Sequence, residues 1–278
     1  MTSRSDGIAI SARDGRRVWL KWHKLRRHAG EPPFDPANLR LGLAAGASLE
    51  IDVRRLADDR WVCLHDDVLD DETDGSGPVA ALRSGDLARL RIRGAAYPPP
   101  LLAGIAADVA RAAPSPAVLQ LDLKEPAATL TDGAVREFAA AIAPIAPRCL
   151  LSGCEWEAVA RLGAAVPGLR LGYDPYEVAE GRTLVTAADY EGLARETLAN
   201  APDAAMFYLY HRFVSAALDL GVNPVAIVKA NGAAVDVWTL DPATPDIGRI
   251  LPRMVEAGAD QITTNDPLAL QALWEETE

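Results

Sequence analysis

From residue 101 to the C-terminus, apolar runs of strand length alternate with amphipathic segments of helix length. Short apolar runs separated by helices cannot pair as hairpins. They pair in parallel, with each helix as the crossover. The helical stretches are 101–112, 133–143, 155–165, 190–200, 213–220, 224–230, 247–257 and 268–274. The strands between them are 118–124, 149–152, 169–173, 204–209, 235–239 and 261–264. Two further strands precede this series, 18–22 and 48–53, with a short helix over 37–45 between them. Eight parallel strands alternating with helices predict a (β/α)8 TIM barrel, with a doubly wound open sheet as the structural rival. Residues 66–99 show no long helical period and carry the dense turn sequence Asp74-Gly75-Ser76-Gly77-Pro78. They are predicted to form a small insertion after the second barrel strand, within a single domain spanning 1–278.

Composition fits that expectation and narrows the partners. A chain of 278 residues with 49% hydrophobic content suffices for one barrel. A net charge of −11 argues against nucleic acid or an anionic membrane as the main partner. The three cysteines, Cys63, Cys149 and Cys154, are odd in number and lack zinc-ligand spacing. They point to a reducing compartment. Residues 1–17 read as a polar lead-in without an apolar signal core, and no run reaches transmembrane length. The expected location is cytoplasmic, with no stable membrane insertion.

The chemistry centres on Leu49-Glu50-Ile51-Asp52-Val53. In a strand, Glu50 and Asp52 share one face while the apolar residues share the other. Two carboxylates on a buried strand repel each other and resist desolvation, so a positive group must face them. A divalent cation is one candidate, and Arg54, Arg55 or another basic group could serve instead. The polar turn at 57–60 and the apolar run 61–64 read as an antiparallel hairpin that carries His65 back beside this strand.

In a barrel, function gathers at the C-terminal ends of the strands. His23, Glu50, Asp52, Asp122, Lys124, Thr239 and Asn265 fall at or near such ends, and the hairpin adds His65. Three carboxylates with water would make an oxygen-only site of the kind Mg2+ or Ca2+ prefers. Two imidazoles beside it could serve as general acid and base, and Lys124 could offset phosphoryl charge, a set suited to phosphoester cleavage. Other readings stay open. Asp122 and Lys124 could simply pair inside the barrel, and His23 could pack in the core beside Trp22. Trp238 fits the core as well as the wall of a pocket, and His211 reads as structural or as a rim residue. Lys24, Arg26, Arg27 and His28 form a basic cluster that is either a solvated loop or an anion site.

These motifs, in this order, resemble the glycerophosphodiester phosphodiesterase family. The likeness rests on Leu49-Glu-Ile-Asp-Val53, His65-Asp-Asp-Val-Leu-Asp70 with Thr73-Asp-Gly-Ser-Gly-Pro78, Val235-Asp-Val-Trp-Thr239 and Gly258-Ala-Asp-Gln-Ile-Thr-Thr-Asn-Asp-Pro267. It implies a (β/α)8 barrel that uses a divalent cation, Mg2+ or Ca2+. The barrel would hydrolyse glycerophosphodiesters to glycerol 3-phosphate and an alcohol, with a cyclic phosphate intermediate plausible. By the resemblance, Glu50, Asp52 and Asp122 would hold the metal, and His23 and His65 would transfer protons. Lys124 and Lys24 would contact phosphate, with Trp238 beside the substrate.

The chain departs from the family pattern at defined points. The family's His-Arg-Gly opening reads His23-Lys24-Leu25, so Lys24 offers a point charge rather than a fork. Its Glu-Asn pair falls on Pro33-Phe34, its third acidic ligand is the shorter Asp122, and its Arg after the His-Asp motif is Asp71. Two alternatives to the glycerophosphodiesterase reading follow. One is a lysophospholipase D or sphingomyelinase D-like phosphotransferase, since such enzymes use an aspartate at the third ligand. The other is a non-catalytic barrel that binds a phosphorylated ligand.

Overall fold

The computed structural model describes residues 6–277. Residues 1–5 of the expected lead-in lie outside the described residues. The strands are β1 (Ala9–Ser11), β2 (Arg17–Trp22), β3 (Ser48–Arg55), β4 (Trp61–Val62), β5 (Val118–Leu123), β6 (Cys149–Gly153), β7 (Arg170–Tyr173), β8 (Met206–Tyr210), β9 (Ala234–Trp238) and β10 (Gln261–Thr264). Their order in the sheet is β1-β2-β10-β9-β8-β7-β6-β5-β3-β4, and β2 also pairs with β3. That last pairing closes β2, β3 and β5 to β10 into an eight-stranded parallel barrel with helices between the strands. The expected fold is the one observed.

Three elements differ from the sequence reading. Within the polar lead-in, β1 pairs antiparallel with β2 and buries Ile10. Three residues are too few to show an alternation. A five-residue helix at Tyr176–Glu180 went unforeseen for the same reason. The hairpin strand is two residues long rather than four. Beyond Val62, Cys63 N–H donates to the carbonyl of Pro100, where the chain returns from the insertion.

By its contacts the chain divides into two compact units. One holds residues 1–22, 27–29 and 172–278, and carries β1, β2 and β8 to β10. Its interior includes a buried polar network around Asp236 on β9. The other holds residues 23–26 and 30–171, including β3 to β6, and contains most of the expected site.

Local signals explain how this second unit positions β3. The helix Pro36–Ala45 starts where the Asp35 side chain accepts from Ala37 N–H at 2.7 Å, with Pro36 in the first turn. It stops at Gly46, whose φ of 77° turns the chain out of the helix and into β3. The face of β3 opposite its acids carries Leu49, Ile51 and Val53, all fully buried. Each such side chain stabilises the fold by roughly 1.5–3 kcal/mol. The hairpin is anchored from outside. The Trp61 indole N–H donates to the carbonyl of Ala134 at 2.9 Å, and its ring meets Phe138 edge-on at 5.6 Å. Both partners lie on the helix Asp132–Ile142, whose first turn is capped by Thr131.

The insertion at 66–99 has no long helix. It contains two short 3-10 turns, Val79–Ala81 and Ser84–Arg89, and is pinned by the bridges Val68–Pro78 and Thr73–Ile92. Among the described residues no single helix is long and apolar enough to cross a membrane.

Candidate active site

Strand register assembles the acids. Glu50, Asp52 and Arg54 lie at alternate positions on β3 and therefore share a face. In the parallel pairing of β3 with β5, Glu50 stands beside Gln120 and Asp52 beside Asp122. The next pairing sets Asp122 beside Ser152 on β6. Adjacent strands lie about 4.8 Å apart, so this register alone brings the Asp52 and Asp122 carboxylates within reach of one ion. Glu50, Asp52 and Asp122 each offer an oxygen, and the three oxygens lie within 4.8 Å of one another.

The acids differ in how they are satisfied. Asp122 accepts from Ser152 Oγ at 3.0 Å, and Ser152 in turn accepts from Gln120 Nε2 at 2.8 Å. Glu50 accepts from the backbone N–H of Lys24 at 2.6 Å. Asp52 is 1% exposed, and neither of its carboxylate oxygens has a hydrogen-bond partner. Burial pushes its carboxyl up, but the charges of Lys124, Lys24, His65 and His23 outweigh that and hold it well below the usual carboxylate range.

Two lysines face the cluster. Lys124 Nζ lies 2.7 Å from Asp122 Oδ2 and 3.3 Å from Asp52 Oδ1. Burial lowers the Lys124 ammonium's pKa, yet Asp122 and Asp52 raise it well above the ordinary value. Lys24 Nζ lies 3.5 Å from Asp52 Oδ2 and 3.8 Å from Glu72 Oε1. Lys24 and the following Leu25 take φ values of 53° and 61°. Leu25 thus adopts a left-handed conformation that glycine enters at far lower cost, and full burial of its side chain holds it there.

The arginines left open as neutralising groups are turned elsewhere. Arg54 donates to the carbonyls of His65 at 2.7 Å and Lys124 at 3.1 Å, and Arg55 pairs with Asp59. Both serve the loops rather than the acids. Asp122 and Lys124 do pair, as one of the alternative readings had it, but as part of the larger cluster.

The two histidines flank these groups. His23 directly follows β2, and its Nε2 lies 4.0 Å from Glu50 Oε2. His65 pairs through Nδ1 with Asp66 Oδ1 at 2.8 Å. Its backbone N–H and that of Asp66 both donate to Glu72 Oε2, at 2.6 and 2.9 Å. Glu72 was not singled out in the sequence as part of the site, and Arg54 was weighed only as a neutralising partner for the two acids. Arg54 had a signal, since it continues the i, i+2, i+4 face of β3. Glu72 had none, because it lies in the aperiodic insertion. Phe34, at one position of the missing Glu-Asn pair, is fully buried with φ of 61°, and its N–H donates to the carbonyl of Lys24.

Trp238 belongs to the other unit. It packs with Tyr176 and Tyr210, at centroid distances of 5.2 and 5.0 Å, and its indole N–H is buried without a partner. His211 is buried beside the Tyr210 ring, and burial, aided by the Arg212 charge, lowers its pKa.

The donor set fits a hard divalent cation. Four carboxylates, counting Glu72, face two ammonium groups, a deficit of two positive charges. Both oxygens of Asp52 are buried acceptors without donors, the state a coordinated ion relieves. Fold and site together define a TIM barrel whose acidic cluster on β3 and β5 offers oxygen ligands to a divalent cation.

Residues 37–138 match the profile of the glycerophosphoryl diester phosphodiesterase family. The matched segment carries Glu50, Asp52, His65 and Asp122. No curated protein matches the chain. Among solved structures, the chain is similar to an Oleispira antarctica phosphodiesterase in complex with the product sn-glycerol-3-phosphate, with 21% identity and a TM-score of 0.67 over 92% of this chain and 96% of that one. It is also similar to a glycerophosphodiester phosphodiesterase from Parabacteroides distasonis, at 17% identity and a TM-score of 0.68 over 92% and 96%. A third, from Agrobacterium tumefaciens, gives 18% identity and a TM-score of 0.63 over 92% and 99%. At these identities the likeness establishes the fold.

Proposed function

We propose that the chain is a metal-dependent phosphodiesterase that hydrolyses a glycerophosphodiester to glycerol 3-phosphate and an alcohol. The observation that carries this reading is the Glu50, Asp52 and Asp122 oxygens within 4.8 Å of one another, with Asp52 lacking any hydrogen-bond donor. The family match and the product-bound Oleispira antarctica relative support the choice of substrate class.

Glu50, Asp52 and Asp122 would hold Mg2+ or Ca2+, which when bound stabilises charge on the phosphoryl oxygens. Lys24 and Lys124 add ammonium charge beside the same acids and would contact phosphate. His65 keeps Nδ1 engaged with Asp66, which orients the ring and leaves Nε2 to carry a proton. His23 presents the second imidazole next to Glu50. One ring takes a proton from the attacking oxygen, and the other delivers one to the departing alkoxide. The attacking oxygen comes from water or from the substrate's neighbouring hydroxyl, and water balances the overall cleavage. Trp238, with Tyr176 and Tyr210, would offer an apolar wall to the substrate. The chain would work as one domain, and its three free cysteines favour a reducing, cytoplasmic setting.

The test is release of sn-glycerol 3-phosphate from glycerophosphocholine, with Mg2+ or Ca2+ and with chelator, for the wild-type chain, His23→Ala and His65→Ala. Product that depends on added cation and is lost in both variants is expected. Full activity in both variants, or in chelator, would overturn the reading. The short Asp122 favours one second reading, the lysophospholipase D or sphingomyelinase D-like phosphotransferase. A cyclic phosphate product in phosphorus NMR would establish it.

A further inference from the structure

Glu72 makes contacts that no role assigned so far accounts for. Its side chain is 11% exposed, and its two oxygens do different things. Oε2 accepts the backbone N–H groups of both His65 and Asp66, which fixes the segment carrying one proposed acid-base group. Oε1 lies 3.8 Å from Lys24 Nζ. That same ammonium lies 3.5 Å from Asp52 Oδ2, while the Lys24 backbone N–H holds Glu50. Lys24 therefore stands between two carboxylates, one inside the cation cluster and one outside it. A lysine ammonium is a compact point charge on a flexible stem, so it can shift between two such partners.

A divalent ion at Asp52 would repel that ammonium strongly at this range. Without another carboxylate nearby, Lys24 would either block the ion or leave the site. We propose that Glu72 is a positioning residue that draws the Lys24 ammonium away from Asp52 when a divalent cation binds and keeps it beside His65. This rests on the metal-dependent reading above and adds to it a coupling between cation affinity and a residue outside the ligand set. The consequence is directional. Lys24 competes with the cation for Asp52, and Glu72 relieves the competition.

The experiment is calorimetric titration of the purified full chain with Mg2+, a readout independent of turnover. Four proteins are compared: wild type, Glu72→Gln, Lys24→Met and the double variant. Gln at 72 keeps an acceptor for the His65 and Asp66 N–H groups but loses the charge. Glu72→Gln is expected to weaken Mg2+ binding about tenfold, the low end for outer partners of metal ligands. Lys24→Met is expected to tighten it by a similar factor. With Met at 24, Glu72→Gln should change the affinity by less than about threefold, since its effect runs through the lysine. An equal loss with and without Lys24, or no loss at all, would overturn the coupling while leaving the cation site intact. Should Glu72→Gln fail to fold, Lys24→Met decides alone, and unchanged or weaker Mg2+ binding overturns the inference. If the wild-type chain binds no Mg2+ or Ca2+ at millimolar concentration, the cation centre falls, and this coupling with it.

Discussion

Two buried aspartates, each on a barrel strand and each beside a lysine, are treated in opposite ways. Asp236 on β9 is fully buried and fully satisfied. Its oxygens accept from Gln261 Nε2 and Thr263 Oγ1, both at 2.6 Å, and Lys21 Nζ stands 3.2 Å away over the Tyr208 ring. Asp52 on β3 is as deeply buried, faces two lysines at longer range, and accepts no hydrogen bond at all. The first arrangement is what a protein builds to make a buried charge tolerable. The second leaves acceptor capacity that an ion or a further donor would fill. Burial alone thus does not mark a functional acid, whereas unfilled acceptors do.

The largest expected effect tests that contrast directly. Asp52→Asn should lower the rate of the proposed diester hydrolysis by about a thousandfold, because several kcal/mol of transition-state stabilisation would depend on a cation held there. It should leave the fold intact, since Lys124 keeps Asp122 and Lys24 keeps Glu72. Activity measured alongside thermal unfolding checks both halves. An Asp52→Asn protein that unfolds, rather than merely losing activity, would make Asp52 a structural acid like Asp236.

Asp236→Ala should behave the other way round. It strands Lys21, which is 2% exposed, and removes the acceptor for Gln261 and Thr263. Breaking a buried pair by removing one partner costs roughly 3–5 kcal/mol. Denaturant unfolding should show that loss, while Mg2+ affinity of the remaining folded protein stays unchanged. A further separation comes from adding the ion. At a concentration one hundred times its dissociation constant, a ligand stabilises the folded state by about 2.7 kcal/mol. Mg2+ should therefore raise the unfolding temperature of wild type and of Thr263→Val, but not that of Asp52→Asn. A rise in Asp52→Asn equal to that of wild type would place the ion elsewhere.

The sequence disclosed these two sites unequally, for physical reasons. Glu50 and Asp52 stand out because two carboxylates at alternate positions interrupt an otherwise apolar strand, and the strand period alone fixes their common face. The barrel was legible for a similar reason, since alternating strand and helix periods survive in any one segment. Pairing register is different. That Asp52 stands beside Asp122, and Asp236 beside Gln261, depends on the offset between strands far apart in the chain, which no local pattern encodes. Lys21 gave a faint signal, a lysine between apolar residues in the run from Val18 to Trp22, but nothing local named Asp236 as its partner. Glu72 and the three-residue β1 lie in segments too short or too irregular to carry a period, so their roles emerge only from contacts.

The smallest effects concern the hydroxyls that support each acid. Ser152 Oγ donates to Asp122 and accepts from Gln120, while Thr263 Oγ1 donates to Asp236. Removing either hydroxyl deletes a hydrogen bond to a charged acceptor, a loss of about 1.5–3 kcal/mol if the acceptor stays buried and unsatisfied. For Thr263→Val that cost should appear in full, because Asp236 is completely enclosed. For Ser152→Ala it should shrink to about 1 kcal/mol or less once Mg2+ is present, because the ion would satisfy Asp122 in place of the hydroxyl. Unfolding of both variants with and without Mg2+ measures the difference. Equal losses that ignore the ion would mean that Asp122, like Asp236, is held for structure, and the cation centre would then rest on Glu50 and Asp52 alone.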